Sequence, residues 1–420
     1  MMLKLVARVK HSLSSSVGSQ AAALSVSAAV SQVLVAVLYI LAARSESPAE
    51  YGHVVAAIAL GTSAIGFVDF GSTSFYIREM ASQRMAPGEL SRRTATKWTI
   101  AIPLASVTAI VMSMTNPIYL ISVAIFSAGL INLGLMVPIR AARRGDIAAG
   151  LMVGERLIAA AVFFALLLTG VPALQALVPS LISGTVGLAL LAWFITPKSE
   201  RIHVGSAGLV NPWRGAMFYG IYGLAASAQQ LDLPLVAASV GTEAAGVYGA
   251  VNRWTQPMGL IATAFSSAAA PFVANAASLR DARRLAFRAS WILALAILAP
   301  VAMILAAPAL VLTLLGPSYS QSVALLQLLA AGSILAVLNQ PLATILQARK
   351  HDRFVAIVYL ASVVLQLSVV MLAGGHIGAT AAGIAYCVLQ AVIFVGFGSG
   401  LWIYSRREAR SGPDEARPAS

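Results

Sequence analysis

Lysines and arginines fall almost entirely on one side of the apolar segments of this chain. Twelve apolar segments can be delimited, each near the ~20 residues that cross a bilayer. If the N-terminus is cytoplasmic, 25 of the 28 lysines and arginines lie in cytoplasmic loops or tails. The exceptions are Arg44 in an outer loop, and Arg156 and Arg253 inside apolar segments. The positive-inside rule predicts this asymmetry for a multi-pass membrane protein with both termini in the cytoplasm.

The fold class predicted from this pattern is an all-α polytopic membrane protein with about twelve transmembrane helices. The predicted spans are 21–43, 53–77, 98–114, 118–139, 147–169, 176–195, 215–238, 246–273, 290–315, 322–346, 354–373 and 378–404. Composition agrees, since 59% of the residues are hydrophobic and only 10% are charged, which excludes a soluble globular domain. The net charge of +13 is spread over short loops, so we expect membrane lipids rather than nucleic acid as its neighbours.

Two short matches indicate that the chain repeats after six spans. Residues 142–146 follow the fourth span and residues 348–352 follow the tenth, at an offset of 206. Residues 49–52 lie at the outer boundary of the second span and residues 246–249 at that of the eighth, at an offset of 197. Because six is even, both halves have one orientation, as in transporters built from parallel repeats. The alternative is a coincidence of similar helix boundaries.

The repeat divides the chain into two pseudo-symmetric six-helix lobes, 1–205 and 206–405, and a polar tail, 406–420, that is predicted to be disordered. No loop is long enough to hold a soluble catalytic domain. The sequence has no phosphate-binding glycine loop and no zinc-type histidine pair, and Cys387 is its single cysteine. We therefore expect neither an enzyme nor a protein with a cofactor or a metal.

Charged and amide side chains inside the predicted spans are the candidate functional residues. An ionised group in the bilayer costs roughly 2.5–3.5 kcal/mol even on the lenient insertion scale, so each one requires a partner or a polar cavity. The candidates are Arg253, Arg156, Asn252, Gln256, Gln229, Gln230 and Asn339, and the acidic residues Asp232, Glu155 and Asp69. Other amides, Gln366 and Gln390 among them, fit interhelical hydrogen bonding equally well.

Each charged candidate also has a structural interpretation. Arg253 is close enough to the outer end of its span to extend into the headgroup region, or it could pair with Asp232. Asp69 lies near the inner surface, within reach of Arg78. Pro234 is expected to kink the seventh span next to Asp232.

Glu155 and Arg156 present a different case because they are adjacent. Neighbouring residues on a helix point about 100° apart, so each is expected to find its partner elsewhere.

Four segments resemble the polysaccharide (Wzx-type) flippases of the multidrug/oligosaccharidyl-lipid/polysaccharide exporter superfamily. They cover nearly the whole chain in the family's order. The segments are Ala49–Gly52 continuing to Phe67–Ser72 and Ile77–Ala81, then Val240–Arg253, then Leu315–Tyr319 followed by Leu335–Gln347, and finally His376–Tyr386. Twelve spans rather than fourteen argue against the lipid II flippase branch.

The resemblance implies export of polyprenyl-pyrophosphate-linked oligosaccharide repeat units by alternating access in the bacterial cytoplasmic (inner) membrane. It also implies a polysaccharide polymerase and the chain-length machinery as partners. Under this hypothesis Arg253 and Arg156 receive the pyrophosphate, because guanidinium groups match phosphate geometry. Asn252, Gln256, Gln229, Gln230 and Asn339 would bind sugar, whereas Asp232, Glu155 and Asp69 would couple an ion or act as a switch.

Two other functions remain open. A drug or organic-cation antiporter would share the fold, and its cavity should be acidic and aromatic. The intramembrane charges, three acidic and two basic, discriminate only weakly. A membrane scaffold without transport would use the same charges as structural pairs.

Overall fold

The computed structural model describes residues 17–142, 144–255, 290–349 and 351–411. Over these residues the chain is helical and contains no β-strand. The helices of the first half are α1 (Val17–Ser45), α2 (Pro48–Asp69), α3 (Ser72–Ala81), α4 (Pro87–Ser113), α5 (Tyr119–Leu135), α6 (Val137–Ala141), α7 (Gly145–Leu168) and α8 (Ala173–Ile195). Those that follow are α9 (Met217–Gln229), α10 (Asp232–Ser239), α11 (Thr242–Asn252), α12 (Ser290–Leu314), α13 (Ser322–Ala348), α14 (Asp352–Ile377) and α15 (Thr380–Ser411).

Nine helical segments in the described part of the chain are long and apolar enough to cross a membrane. They are Pro48–Asp69, Pro87–Ser113, Tyr119–Ala141, Asp146–Leu168, Ala173–Ile195, Ala296–Leu314, Ser322–Gln347, Asp352–Ile377 and Thr380–Arg406. Each overlaps one of the predicted spans, so the prediction of an all-α multi-pass membrane protein is confirmed. A count of twelve spans and cytoplasmic termini stay predictions.

Two predicted spans are interrupted. The second, 53–77, breaks where Phe70 and Gly71 adopt left-handed backbone conformations, with φ of 44° and 67°, between α2 and α3. The seventh, 215–238, breaks between α9 and α10, next to the Pro234 that predicted a kink. Of the eighth span, 246–273, the part after Thr255 lies outside the described residues.

The described residues form two compact units. The first ends at Ala250 and also includes Leu312–Ser320, whereas the second comprises Val251–Val311 and the chain from Gln321 onward. In the second unit α13 and α14 both pack against α15, and Gly396 and Gly400 of α15 face Val358 and Phe354 of α14. Small residues at such contacts let helices approach closely within a membrane. The division into lobes 1–205 and 206–405 stays a prediction.

In the first unit, the predicted outer ends of several helices meet around two tyrosines. The rings of Tyr51 and Tyr319 pack edge to face with their centroids 6.3 Å apart. Tyr319 donates a hydrogen bond of 2.9 Å to the carbonyl oxygen of Ala43. Burial raises the pKa of the Tyr319 hydroxyl above its usual range, so this group remains a donor. The segment that follows α12 is thereby fixed to α1 and α2.

The backbones of α2 and α11 touch beside these tyrosines, at the two motifs that suggested the repeat. A Cβ atom on Gly52 would lie 1.8 Å from the carbonyl oxygen of Thr242. A Cβ atom on Gly246 would lie 1.7 Å from the carbonyl oxygen of Pro48. Only glycine permits this approach, because in both cases the obstacle is backbone.

Gly52→Leu should therefore destabilise the protein, since the added side chain forces α2 and α11 apart. Overpacking typically costs about 1–3 kcal/mol and occasionally more. Thermal unfolding of the detergent-purified protein, followed by loss of the monodisperse gel-filtration peak, measures the effect. Gly150→Leu is the matched control, because a Cβ atom on Gly150 of α7 meets nothing within 4 Å. Equal melting temperatures for the two variants would contradict the role of this contact.

Candidate functional site: charged and amide groups within the helices

A buried ion pair lies at the break between α2 and α3. The Nζ atom of Lys97 on α4 is 2.7 Å from Oδ1 of Asp69, and the two residues are 1% and 7% exposed. Lys97 also donates to the hydroxyl of Ser72 at 2.8 Å. Asp69 accepts further hydrogen bonds from the hydroxyls of Ser72, at 3.0 Å, and Thr73, at 2.6 Å, and from the backbone N–H of Thr73. The pair therefore holds together a point where the helix is interrupted.

This arrangement corrects two expectations. The salt-bridge partner of Asp69 is Lys97, whereas its position in the sequence points to Arg78. Lys97 is itself one of the residues counted as lying in a cytoplasmic loop, but it is buried within α4, which begins ten residues earlier at Pro87. Asp69 accepts four hydrogen bonds, so its carboxylate is satisfied by protein groups alone. This geometry favours a structural role for Asp69.

A second buried carboxylate lies at the break in the seventh predicted span. Asp232 begins α10 and is 6% exposed. Its Oδ2 atom accepts a hydrogen bond of 2.5 Å from the hydroxyl of Tyr248 on α11, and its Oδ1 atom accepts one of 2.6 Å from the backbone N–H of Leu233. A carboxylate at the first turn of a helix interacts favourably with the helix dipole. Asp232 therefore joins the broken span to α11.

The other described candidates on the seventh and eighth spans lie at or just beyond the ends of helices. Gln229 is the half-buried last residue of α9, and Gln230 is exposed in the break itself. Asn252 ends α11, and its carbonyl oxygen accepts a hydrogen bond from the hydroxyl of Thr255. Arg253 follows directly and is half-buried. Gln256 lies outside the described residues.

Glu155 and Arg156 lie near the middle of α7. The Oε1 atom of Glu155 accepts a hydrogen bond of 3.0 Å from Thr185 on α8. Glu155 thus has a partner on another helix, as expected, but the same oxygen is also 3.7 Å from an Nη atom of Arg156, an ion pair between neighbours that was not expected. Their long side chains compensate for the angular separation of adjacent residues. A distance of 3.7 Å exceeds a hydrogen bond, however, so the guanidinium donors of Arg156 are not saturated by Glu155.

Amide side chains lie inside the helices of the second unit. The Nδ2 atom of Asn339 on α13 donates to the side-chain oxygen of Gln390 on α15 at 2.9 Å and to its carbonyl oxygen at 3.0 Å. The Oδ1 atom of Asn339 has no hydrogen-bond partner among the described residues, and neither amide atom of Gln366 on α14 has one. Asn339 thus links two helices, as the interpretation of the amides as interhelical contacts predicts.

The structure brings each acidic candidate together with a residue that sequence reasoning missed. Lys97 was missed because it lies at the edge of an apolar segment and directly follows other basic residues. Tyr248 and Thr185 were missed because an uncharged hydroxyl does not stand out in an apolar helix. Tyr248 does belong to the repeated motif at residues 246–249, and that repetition was the available signal.

Part of the chain matches the model of a known protein family. The MatE family model matches residues 224–372, about a third of the chain, which includes Asp232, Tyr248, Arg253 and Asn339. No curated protein matches the chain in sequence. Members of the MatE family are transporters.

Solved structures match nearly the whole chain. An inward-facing multidrug resistance MATE family transporter of the MOP superfamily matches with a TM-score of 0.67 at 14% identity, covering 92% of this chain and 96% of its own. A MOP superfamily transporter from Pyrococcus furiosus matches with a TM-score of 0.60 at 14% identity, covering 94% and 96%. An outward-facing MATE family transporter matches with a TM-score of 0.56 at 14% identity, covering 96% and 98%. The chain therefore has the fold of the MATE transporters.

Proposed function

We propose that the protein is a flippase that exports polyprenyl-pyrophosphate-linked oligosaccharide repeat units across the bacterial cytoplasmic membrane by alternating access. The MATE transporter fold supports a transport role, and the sequence segments that resemble polysaccharide flippases support the choice of substrate. A pyrophosphate and its sugars must cross ~30 Å of hydrocarbon, which requires cationic and amide groups inside the membrane. Arg156, Arg253, Asn252, Gln229, Gln230, Gln256 and Asn339 supply these groups in the proposal.

The proposal rests mainly on the partly exposed guanidinium of Arg156 and its available N–H donors. Its side chain is 30% exposed, and the Glu155 oxygen nearest to it lies at 3.7 Å and already accepts a hydrogen bond from Thr185. In the described part of the chain Arg156 makes no side-chain hydrogen bond that would occupy its five N–H donors. A guanidinium held within a membrane helix with its donors available suits the paired oxygens of a phosphate. Glu155 reduces the cost of keeping this charge in the membrane when no substrate is bound.

Asp232 is the proposed switch or ion-coupling residue. It lies at a helix interruption, where backbone groups and side chains together can form a polar site inside a membrane protein. Its carboxylate has one side-chain partner, Tyr248, whereas Asp69 has three. A group with fewer protein partners can exchange them for an ion at a smaller cost. Glu155 is the second candidate for this role.

The first experiment is to delete the gene and to measure polyprenyl-pyrophosphate oligosaccharides by mass spectrometry together with surface polysaccharide. We expect a complete lipid-linked repeat unit to accumulate and the polymer to disappear. Re-expression of the wild-type gene should reverse both effects. Unchanged lipid-linked sugars would overturn the proposal and, if the cells also became sensitive to cationic drugs, would establish the alternative.

That alternative is a drug or organic-cation antiporter, and the fold supports it equally well. Two of the matching structures are multidrug resistance transporters. The Pyrococcus furiosus transporter, in contrast, has a binding pocket of reverse polarity that suggests a different function for that protein. The same fold therefore does not by itself decide the charge of the substrate.

Arg156→Gln should impair export of the lipid-linked oligosaccharide. A hydrogen bond to a charged group contributes about 1.5–3 kcal/mol, so we expect export at limiting substrate to fall by roughly tenfold to a hundredfold. Complementation of the deletion strain, with the accumulated lipid-linked repeat unit as the readout, measures the loss. Arg144→Gln, an exposed residue near the start of the same helix, is the matched control. Full export by the Arg156 variant at wild-type protein levels would remove Arg156 from the site.

A further inference from the structure

The segment 196–216, which connects α8 to α9, is fixed to the first unit along one side. Ile202 is 5% exposed and packs in a cluster with Trp98, Phe126 and Leu130. The connection therefore contributes to the core between α4 and α5.

Hydroxyl groups on α4 hold the same side of the connection in place. Ser91 Oγ accepts a hydrogen bond of 2.9 Å from the backbone N–H of His203 and shares one of 2.8 Å with the hydroxyl of Ser206. The Thr96 hydroxyl donates a hydrogen bond of 3.0 Å to the carbonyl oxygen of Gly208 and accepts one of 3.1 Å from its backbone N–H. The opposite side of the connection is thereby presented in a defined orientation.

That opposite side is apolar at its tip. Leu209 is fully exposed at 111%, and Val204 is 59% exposed. Two exposed apolar side chains on one short connection, whose other side is docked on α4, give it a small apolar surface. The connection begins one residue after α8, a membrane span, and it lies against the first turns of α4, another span. Leu209 and Val204 are therefore at the level of the membrane boundary.

Exposed basic groups lie on the connection and beside it on α4. Arg92 is exposed and runs beside Gly208, where an added Cβ atom would lie 3.7 Å from the Arg92 Cδ atom. Lys198 and Arg214 are also exposed, and Glu200 is the single carboxylate of the connection. Apolar side chains together with an excess of cations match the interface of a membrane with anionic lipids, which attracts nearby lysines and arginines.

Arg201 is held in a geometry that supports the same conclusion. Its guanidinium stacks over the Trp193 ring at 4.3 Å and donates to the carbonyl oxygens of Thr196 and Phe194 at the end of α8. The second unit has a similar pair, since Arg406 stacks over Trp402 at 3.9 Å near the end of α15, and Trp402 is 56% exposed. Tryptophan and arginine at helix ends are typical of the interface between headgroups and acyl chains.

We propose that the connection 196–216 is an interfacial membrane element that binds anionic phospholipids at the membrane face predicted to be cytoplasmic. Leu209 and Val204 enter the boundary of the acyl chains, while Arg92, Lys198 and Arg214 bind the lipid phosphates. This inference depends on the membrane location of the protein and not on the proposed substrate.

The test attaches an environment-sensitive NBD fluorophore to Leu209→Cys in the full-length protein with Cys387→Ser, which removes the single native cysteine. The protein is placed in nanodiscs of phosphatidylcholine with phosphatidylglycerol. We expect quenching by lipids that carry a nitroxide near the carbonyl region, and a several-fold smaller iodide quenching constant than for the same label at Ser82, an exposed residue that follows α3 and lies outside the connection. Equal access of iodide to both positions would overturn the proposal.

Two further measurements separate headgroup binding from other causes of shielding. In nanodiscs of phosphatidylcholine alone, and in an Arg92→Gln/Arg214→Gln variant in the mixed lipid, the label at position 209 should shift towards the iodide access of position 82. Identical shielding in both lipids and in both proteins would show that anionic headgroups are not bound. Shielding that appears in lipid-free amphipol as the protein concentration rises would show a second copy of the chain as the occupant and would also overturn the proposal.

Discussion

Lys97→Met is expected to produce the largest loss of stability of any single substitution considered for this protein. It leaves the Asp69 carboxylate buried without its counter-ion, and removing one partner of a buried pair costs about 3–5 kcal/mol. The break between α2 and α3 should then open, because Ser72 and Thr73 are held by the same carboxylate. Thermal unfolding in detergent and the yield of monodisperse protein measure the effect.

The double variant Lys97→Met/Asp69→Asn separates an unpaired charge from the loss of packing. It removes both charges and keeps an amide oxygen for Ser72 and Thr73, so it should recover most of the stability. Lys198→Met is the control for the loss of a lysine, because Lys198 is exposed. If the double variant unfolded at the same temperature as Lys97→Met, the unpaired charge of Asp69 would not be the cause of the lost stability.

Asp232→Asn is expected to reduce export strongly while leaving the protein folded. Asparagine preserves the shape: its Oδ1 atom can accept the hydrogen bond from the backbone N–H of Leu233, and its amide nitrogen can donate to the Tyr248 hydroxyl oxygen, so the helix break should survive. The charge that the proposal assigns to a switch or to ion coupling is lost. We expect export to fall at least roughly tenfold, which corresponds to about 1.4 kcal/mol, with an unchanged melting temperature.

Tyr248→Phe tests the same site through the hydroxyl that donates to Asp232. It removes the one side-chain hydrogen bond of Asp232 within the described chain, and a bond to a charged group contributes about 1.5–3 kcal/mol. Tyr319→Phe is its control, because that tyrosine donates to a carbonyl oxygen instead of a carboxylate. The assay is the accumulated lipid-linked repeat unit in the complemented deletion strain. Normal export by Asp232→Asn would exclude the carboxylate from the transport cycle.

Most of the membrane-spanning architecture could be predicted from the sequence, because long apolar runs and one-sided charge are properties of the chain itself. The kink at Pro234 could be predicted for the same reason, since proline removes a backbone donor wherever it occurs. The break at Phe70 could not, because a phenylalanine in a left-handed conformation is held by tertiary contacts and has no local preference for it.

The candidate site was less predictable than the fold. The sequence identifies Asp69, Asp232 and Glu155 as charges that need partners, but the partners come from 28, 16 and 30 residues away. Lys97 shows the reason most clearly. Its position between two apolar segments assigned Lys97 to a loop. The helix α4, however, begins before its apolar part, so Lys97 lies within the helix and is buried. The asymmetry of the basic residues predicts on which side of the membrane a loop lies. Whether a basic residue next to a span is buried depends on where the helix begins and ends.

The docking of Ile202 has a consequence for dividing this chain into two co-expressed fragments. Although residues 196–216 join the two predicted halves, their buried side completes the core of Trp98, Phe126 and Leu130. A cut just after α8 would remove Ile202 from the polypeptide whose core it fills and would separate Ser91 and Thr96 from the hydrogen-bond partners that the connection provides. A cut at Gly215, whose φ is 88°, would keep the connection with the helices that it packs against.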